Sequence, residues 1–189
     1  MKLTIYQVDA FTDTVFKGNP AAVCPIEEWL TDEILLKIAS ENNLSETAFY
    51  VPKDNTFEIR WFTPTTEVDL CGHATLAAAY VLHHCENNQE DTISFYSPRS
   101  GSLSVRVQQD LFVLNFPADQ LTEIALTDEL ISITNKRPIA AFKGKTDYML
   151  VFEKQKDIET ITPNLSMIAR MDARGFIVTA KGDRSEEHT

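Results

Sequence analysis

The sequence predicts a mixed α/β (α+β) fold in which a sheet surrounds one buried helix. From Gly72 to Cys85 the chain has no proline, Asp, Glu, Lys or Arg, and residues 74–82 are almost wholly apolar. A helix that is apolar on every side is buried, so we expect residues 74–84 to form the most buried helix, which is too short to span a membrane. The flanking segments alternate polar and apolar residues as strands do, without the regular strand–helix–strand repeat of a Rossmann domain.

The first half of the chain predicts a hairpin and a helix ahead of the buried helix, and an antiparallel meander after it. Thr31 is placed to cap a helix that ends near Asn43. The turn at residues 53–55 joins two strands into a hairpin. The predicted strands of this half are 3–11, 21–24, 47–51, 57–62, 92–97, 101–108 and 111–116.

The second half predicts a separate domain, with the boundary at Pro117, so that the domains are 1–117 and 118–189. It has no counterpart of the buried helix, and we therefore expect an incomplete domain that exposes apolar surface. The polar tail 181–189 has no pattern and is expected to be disordered. The predicted helices are 127–134 and 164–171, and the predicted strands are 139–142, 148–152 and 176–180.

Composition and charge narrow the class of protein. The chain has 189 residues, of which 43% are hydrophobic and 24% charged, with a formal net charge of −11. Such an acidic protein is a poor partner for nucleic acid or for an anionic membrane. The first residues of the chain alternate between polar and apolar side chains, which is typical of a strand and not of a signal peptide. The three cysteines have no C-x-x-C spacing, which fits free thiols in the cytoplasm and suggests neither a disulfide framework nor a zinc site.

The most promising site is the start of the buried helix. Asp69, Cys71, Gly72 and His73 cluster where the first free N–H groups and the positive end of the helix dipole meet. Glycine allows a ligand to approach the backbone closely. This arrangement predicts an anion-binding site with acid/base side chains beside it.

Four motifs identify a family resemblance. GNPAAV (18–23), NLSETAF (43–49), RWFTP (60–64) and EVDLCGHAT (67–75) occur in that order. Together they closely resemble the phenazine-biosynthesis isomerase (PhzF-like) family, over about residues 1 to 180. The resemblance implies the fold of diaminopimelate epimerase, in which two similar domains each wrap a mixed, mostly antiparallel sheet around a central helix. It also implies a cytoplasmic isomerase that uses neither a metal nor an organic cofactor.

The resemblance further implies roles for residues at the helix start. Glu46 corresponds to the family's acid/base group, and His73 lies beside it. The phenazine enzyme itself moves a proton on a dihydro-hydroxyanthranilate, so the expected partners are a small carboxylate-bearing substrate and a second copy of the chain. Contacts with the substrate are expected from Ser45, Asp69, Cys71, Gly72, Ala74 and Thr75.

Two alternatives remain open at the level of the sequence. One is a racemase or epimerase that uses Cys71 as a base, as the epimerase relatives use cysteines at a comparable helix start. The other is a non-catalytic binding or interaction domain. One observation speaks for the binding domain: family members are longer and carry another glycine-containing helix start with an Asp-Pro motif, which this chain lacks before Thr189. We therefore expect a shortened chain with little turnover.

Overall fold

The computed structural model describes residues 2–14, 16–109 and 111–182. The chain divides into two compact units, Met1–Pro117 and Ala118–Thr189. Among the described residues, no helix is both long enough and apolar enough to cross a bilayer. The part of the predicted tail beyond residue 182 lies outside the described residues.

The first unit is built on one mixed sheet of eight strands in the order β1-β2-β3-β4-β6-β7-β8, with β5 beside β4. The β2–β3 and β4–β6 pairs are parallel and the other pairs are antiparallel. The expected mixed, mostly antiparallel sheet is therefore present. The elements are β1 (Tyr6–Ala10), β2 (Asn19–Pro25), α1 (Asp32–Asn42), β3 (Glu46–Lys53), β4 (Thr56–Phe62), β5 (Glu67–Val68), α2 (Gly72–Tyr80), β6 (Thr92–Ser97), β7 (Gly101–Gln108) and β8 (Leu111–Asn115).

Helix α2 forms the centre of this unit, as predicted. It packs against β1, β2, β3, β7 and β8. Alanine favours the helix and is small enough for strands to approach from several sides, and Ala74, Ala77, Ala78 and Ala79 are all buried. The prediction of a buried helix to residue 84 is wrong at its end. A π turn follows at Val81–Cys85, and it carries the side chain of His84 out to solvent.

Alternation along β3 determines where Glu46 points. Ala48 and Tyr50 belong to the core around α2, whereas Phe49 belongs to a second core that packs against α1. Side chains two residues apart share a face of a strand. Glu46 therefore lies on the face that covers α2, at the end of β3.

The second unit is a four-stranded sheet in the order β12-β11-β10-β9, with short helices on one face. The β11–β12 pair is parallel and the other two pairs are antiparallel. Its core includes Leu130, Leu150 and Phe152. The elements are β9 (Thr122–Ile124), α3 (Asp128–Ser132), β10 (Ala140–Lys143), β11 (Asp147–Phe152), α4 (Gln155–Glu159), α5 (Leu165–Ile168) and β12 (Gly175–Ala180).

The opposite face of the second sheet is apolar and incompletely covered. Met149 and Val151 alternate with the core residues of β11 and are half-buried. Their neighbours in register include Phe142 on β10 and Ile177 on β12. The Ile177 side chain is exposed. We call the side chains of Phe142, Met149, Val151 and Ile177 the open face of the second sheet.

Candidate active site

Glu46 and His73 meet at the start of α2. The Glu46 Oε2 atom lies 3.3 Å from the Nε2 atom of His73. His73 is only 8% exposed, whereas the Glu46 carboxylate is partly open to solvent. The contact is close but is not aligned as a hydrogen bond, so the buried Nε2 atom has no hydrogen-bond partner. The pair combines an accessible carboxylate with a sequestered imidazole.

Cys71 completes a compact cluster with this pair. It occupies the N-cap position of α2, and its Sγ atom lies 3.4 Å from the Nδ1 atom of His73. One ligand-type atom from each of Glu46, Cys71 and His73 lies within 4.8 Å of the others. Three groups that can bind or release a proton are thus held together by β3 and α2.

Burial controls the protonation of two members of this cluster. Burial lowers the pKa of His73 below its ordinary value, although the Glu46 carboxylate and the backbone of Pro20 act in the opposite direction. The imidazole is therefore neutral at pH 7. Burial also raises the pKa of Cys71 to about 12, against the lowering effect of the Ala74 amide and with a further increase from the Glu46 carboxylate. Cys71 is therefore a thiol rather than a thiolate.

The start of α2 supplies backbone donors beside the cluster. In the first turn, the N–H of Thr75 already bonds to the Cys71 carbonyl oxygen at 3.2 Å, and the Thr75 hydroxyl donates to the same oxygen at 2.6 Å. The amides of Gly72 and His73 precede this bond and have no helical acceptor. Thr75 and Ala74 are fully buried, so they support the helix start rather than line open space.

Two of the expected contact residues are exposed, and they differ in position: Asp69 faces Arg99, whereas Ser45 adjoins Glu46. The Asp69 side chain is 72% exposed and its Oδ1 atom accepts a hydrogen bond from Arg99 at 3.0 Å. The structure therefore does not bring the Asp69 carboxylate to Glu46 and His73. Ser45 is exposed immediately before Glu46, where it is accessible to a ligand.

Two supporting residues have no role in the sequence prediction. The backbone of Pro20 raises the pKa of His73. Arg99 donates hydrogen bonds to the carboxylates of both Glu67 and Asp69, which precede α2. Gly18 allows the chain to place Pro20 there, because it has a φ of +75° and any Cβ at this position would collide with the Ala10 carbonyl oxygen. The GNPAAV motif contained this signal. Arg99 lies outside the four motifs, so the sequence carried no comparable signal for it.

The fold belongs to the epimerase type. A structure described as a predicted epimerase from Pseudomonas aeruginosa matches 94% of this chain and 70% of its own length, with a TM-score of 0.68. At 17% identity that likeness shows the fold alone. A phenazine biosynthesis protein of the PhzF family from Enterococcus faecalis is much more similar, with a TM-score of 0.89 and 42% identity over 97% of this chain and 70% of that one.

The chain is a member of the family described as phenazine biosynthesis-like protein, whose family model matches residues 8–189. An uncharacterized isomerase of Pseudomonas aeruginosa is 46% identical over 184 residues, which are 97% of this chain and 70% of that protein. An uncharacterized isomerase of Halalkalibacterium halodurans is 41% identical over 188 residues, covering 98% of this chain and 71% of that protein. These names support the expectation of an isomerase.

Proposed function

We propose that this protein is an isomerase that moves a proton on a small carboxylate-bearing substrate, with Glu46 as the acid/base group. The observation that carries this proposal is the 3.3 Å approach of the Glu46 carboxylate to the buried, unpaired Nε2 atom of His73 at the start of α2. Glu46 is the accessible member of the pair. It can therefore reach a substrate and also remain in contact with His73.

The proposed sequence of events uses side chains and backbone alone. The amides of Gly72 and His73, with the positive end of the α2 dipole, hold the substrate carboxylate. Glu46 then removes a proton from a carbon atom of the bound substrate and returns it at another carbon. Ser45, exposed next to Glu46, is placed to donate a hydrogen bond that orients the substrate.

His73 acts as a neutral positioning residue in this proposal. Because burial keeps its pKa low, it does not hold Glu46 in a permanent ion pair that would stop the carboxylate from accepting a proton. When Glu46 becomes protonated, the adjacent Nε2 atom can share that proton. A carboxyl group that gains and loses a proton during each turnover needs such a reversible partner.

Cys71 is less suited to be the base. A thiol with a pKa of about 12 is in the thiolate form in only about one molecule in 10⁵ at pH 7. The thiolate is the reactive form of cysteine. This supports Glu46 over the cysteine-based racemase alternative, although both use the same helix start.

The proposed setting is the reducing cytoplasm, and the proposed assembly is a homodimer. The free thiols of Cys24, Cys71 and Cys85 support the first. The open face of the second sheet supports the second, because partly exposed apolar surface favours association.

The test is uptake of deuterium from D₂O into small carboxylates, beginning with a dihydro-hydroxyanthranilate, followed by NMR. Glu46→Gln keeps the shape of the side chain and removes the base, so exchange should fall by roughly 10²–10⁴-fold. Glu33→Gln is the matched control, because Glu33 is exposed on α1, where its carboxylate pairs with Lys37. Unchanged exchange in Glu46→Gln would remove Glu46 from the mechanism, and no exchange by the unmodified chain on any tested carboxylate would favour the binding-domain alternative.

A further inference from the structure

The cluster at the start of α2 is also a set of metal ligands. Glu46, Cys71 and His73 each offer one atom, and these atoms lie within 4.8 Å of one another. Oxygen, sulfur and nitrogen donors of these three kinds are the ligands that Zn²⁺ takes in proteins. The sequence did not suggest such a site, because Glu46 is supplied by β3 and the other two residues by α2.

An unpaired atom within the cluster points independently to a ligand. His73 is more than nine-tenths buried, and its Nε2 atom has no hydrogen-bond partner. Nearly all buried polar side-chain atoms in proteins have a partner, and an unpaired one costs free energy. A cation that shares the Glu46 carboxylate with this ring would provide that partner.

We propose that Glu46, Cys71 and His73 bind Zn²⁺. Their three donor atoms lie within 4.8 Å of one another, so small side-chain rotations suffice to bring them around one tetrahedral ion with bonds of about 2.0–2.3 Å. One ring nitrogen of His73 binds the ion, and water fills the fourth position. Cys71 binds as a thiolate and its proton passes to solvent, so that Zn²⁺, one carboxylate and one thiolate form a neutral site in a buried place.

Occupancy by Zn²⁺ has a consequence for activity that rests on the proposed function. A carboxylate that binds a metal cannot also accept a proton from a substrate carbon. Zn²⁺ should therefore inhibit proton exchange, and a chelator should restore it. Binding itself does not depend on Glu46 being the catalytic base, so it can be tested separately.

The experiment is a titration of the 189-residue chain with Co²⁺, followed by displacement with Zn²⁺. A thiolate bound to Co²⁺ gives a charge-transfer absorption in the near ultraviolet, which reports directly on the cysteine. Cys71→Ser should abolish that absorption. Glu46→Gln keeps the thiol and should weaken Zn²⁺ binding, measured by calorimetry, by at least roughly tenfold, the lower end of the effect of disturbing a zinc site.

Cys85→Ser is the matched control, because Cys85 is an exposed thiol that follows His83 and His84. It should leave the absorption unchanged, and circular dichroism should show all variants folded. Absence of the absorption in the unmodified chain, its survival in Cys71→Ser, or its loss in Cys85→Ser would overturn the site. Binding that needs Cys71 and Glu46, together with full proton exchange in Glu46→Gln, would uphold the metal site and refute the proposed function.

Discussion

Replacing Cys71 with alanine distinguishes the two ways in which this helix start could move a proton. If Glu46 is the base, Cys71 contributes a supporting contact with His73, at 3.4 Å between Sγ and Nδ1. If Cys71 is the base, the substitution removes the reactive atom itself. The two mechanisms therefore predict losses of very different size.

The expected size follows from that contact. A hydrogen bond of this type contributes about 0.5–1.5 kcal/mol, so losing its positioning effect should slow exchange by about two- to tenfold. A cysteine base would predict a loss of roughly 10²-fold or more. The pKa of about 12 for Cys71 favours the smaller loss, because almost none of the thiol is ionised at neutral pH.

The assay is deuterium exchange into the same carboxylate for the unmodified chain and for Cys71→Ala. Cys24→Ala provides the matched control, since Cys24 is fully buried in the separate core next to α1. This control measures how a small buried cavity changes the exchange rate when Glu46, Cys71 and His73 are all left intact. A loss above 10²-fold in folded Cys71→Ala, with Cys24→Ala near the unmodified rate, would refute the Glu46 mechanism.

Three further predictions concern stability and assembly. The folded-state pKa of His73 lies below its ordinary value, so the unfolded chain binds protons more readily. The free energy of unfolding should therefore decrease as pH falls below about 6.5. Urea titrations should show a smaller decrease in His73→Gln, whereas the exposed-site control His84→Gln should show the same decrease as the unmodified chain. Ala78→Asp should lower the free energy of unfolding by about 3–5 kcal/mol, because it places an unpaired charge at a position with 0% exposure. Leu76→Asp, at a half-buried position of the same helix, should lower it less. Equal urea midpoints for the two variants would contradict the placement of α2. Light scattering should show association of the chain at high concentration and less of it in Ile177→Ser, and a strictly monomeric unmodified chain would count against the homodimer.

The sequence predicted the strands well where alternation was long enough to detect. The strand predicted at 3–11 begins only at Tyr6, and β5, β9 and α4 were missed. These three elements are short, at two, three and five residues, and α4 is mostly polar. Pairing was harder to predict, because alternation gives the faces of a strand but not its neighbour or direction. The parallel β2–β3 and β4–β6 pairs therefore emerged only in the structure.

The candidate site was predictable in part. The uncharged helix showed where α2 begins, and the family resemblance linked Glu46 to His73, which the structure brings within 3.3 Å. Spacing alone could not link them, since they lie on different elements. The expectation for Asp69 rested on its nearness to Cys71 in sequence, whereas Arg99, from the turn after β6, holds its carboxylate at the surface. The roles of Glu46, His73 and Ser45 remain predictions for the exchange assay.

The parallel pairing of β4 with β6 affects how this protein is made. Phe57 and Glu58 pair with Phe95 and Tyr96, so a strand that precedes α2 and a strand that follows it become sheet neighbours only after the whole helix has left the ribosome. Until then, a nascent chain carries a nearly uncharged helix without the β7 and β8 strands that will help to enclose it. Contacts over long sequence separations form slowly, and exposed apolar segments aggregate or engage chaperones. Synthesis should therefore be most vulnerable between the emergence of α2 and that of β8.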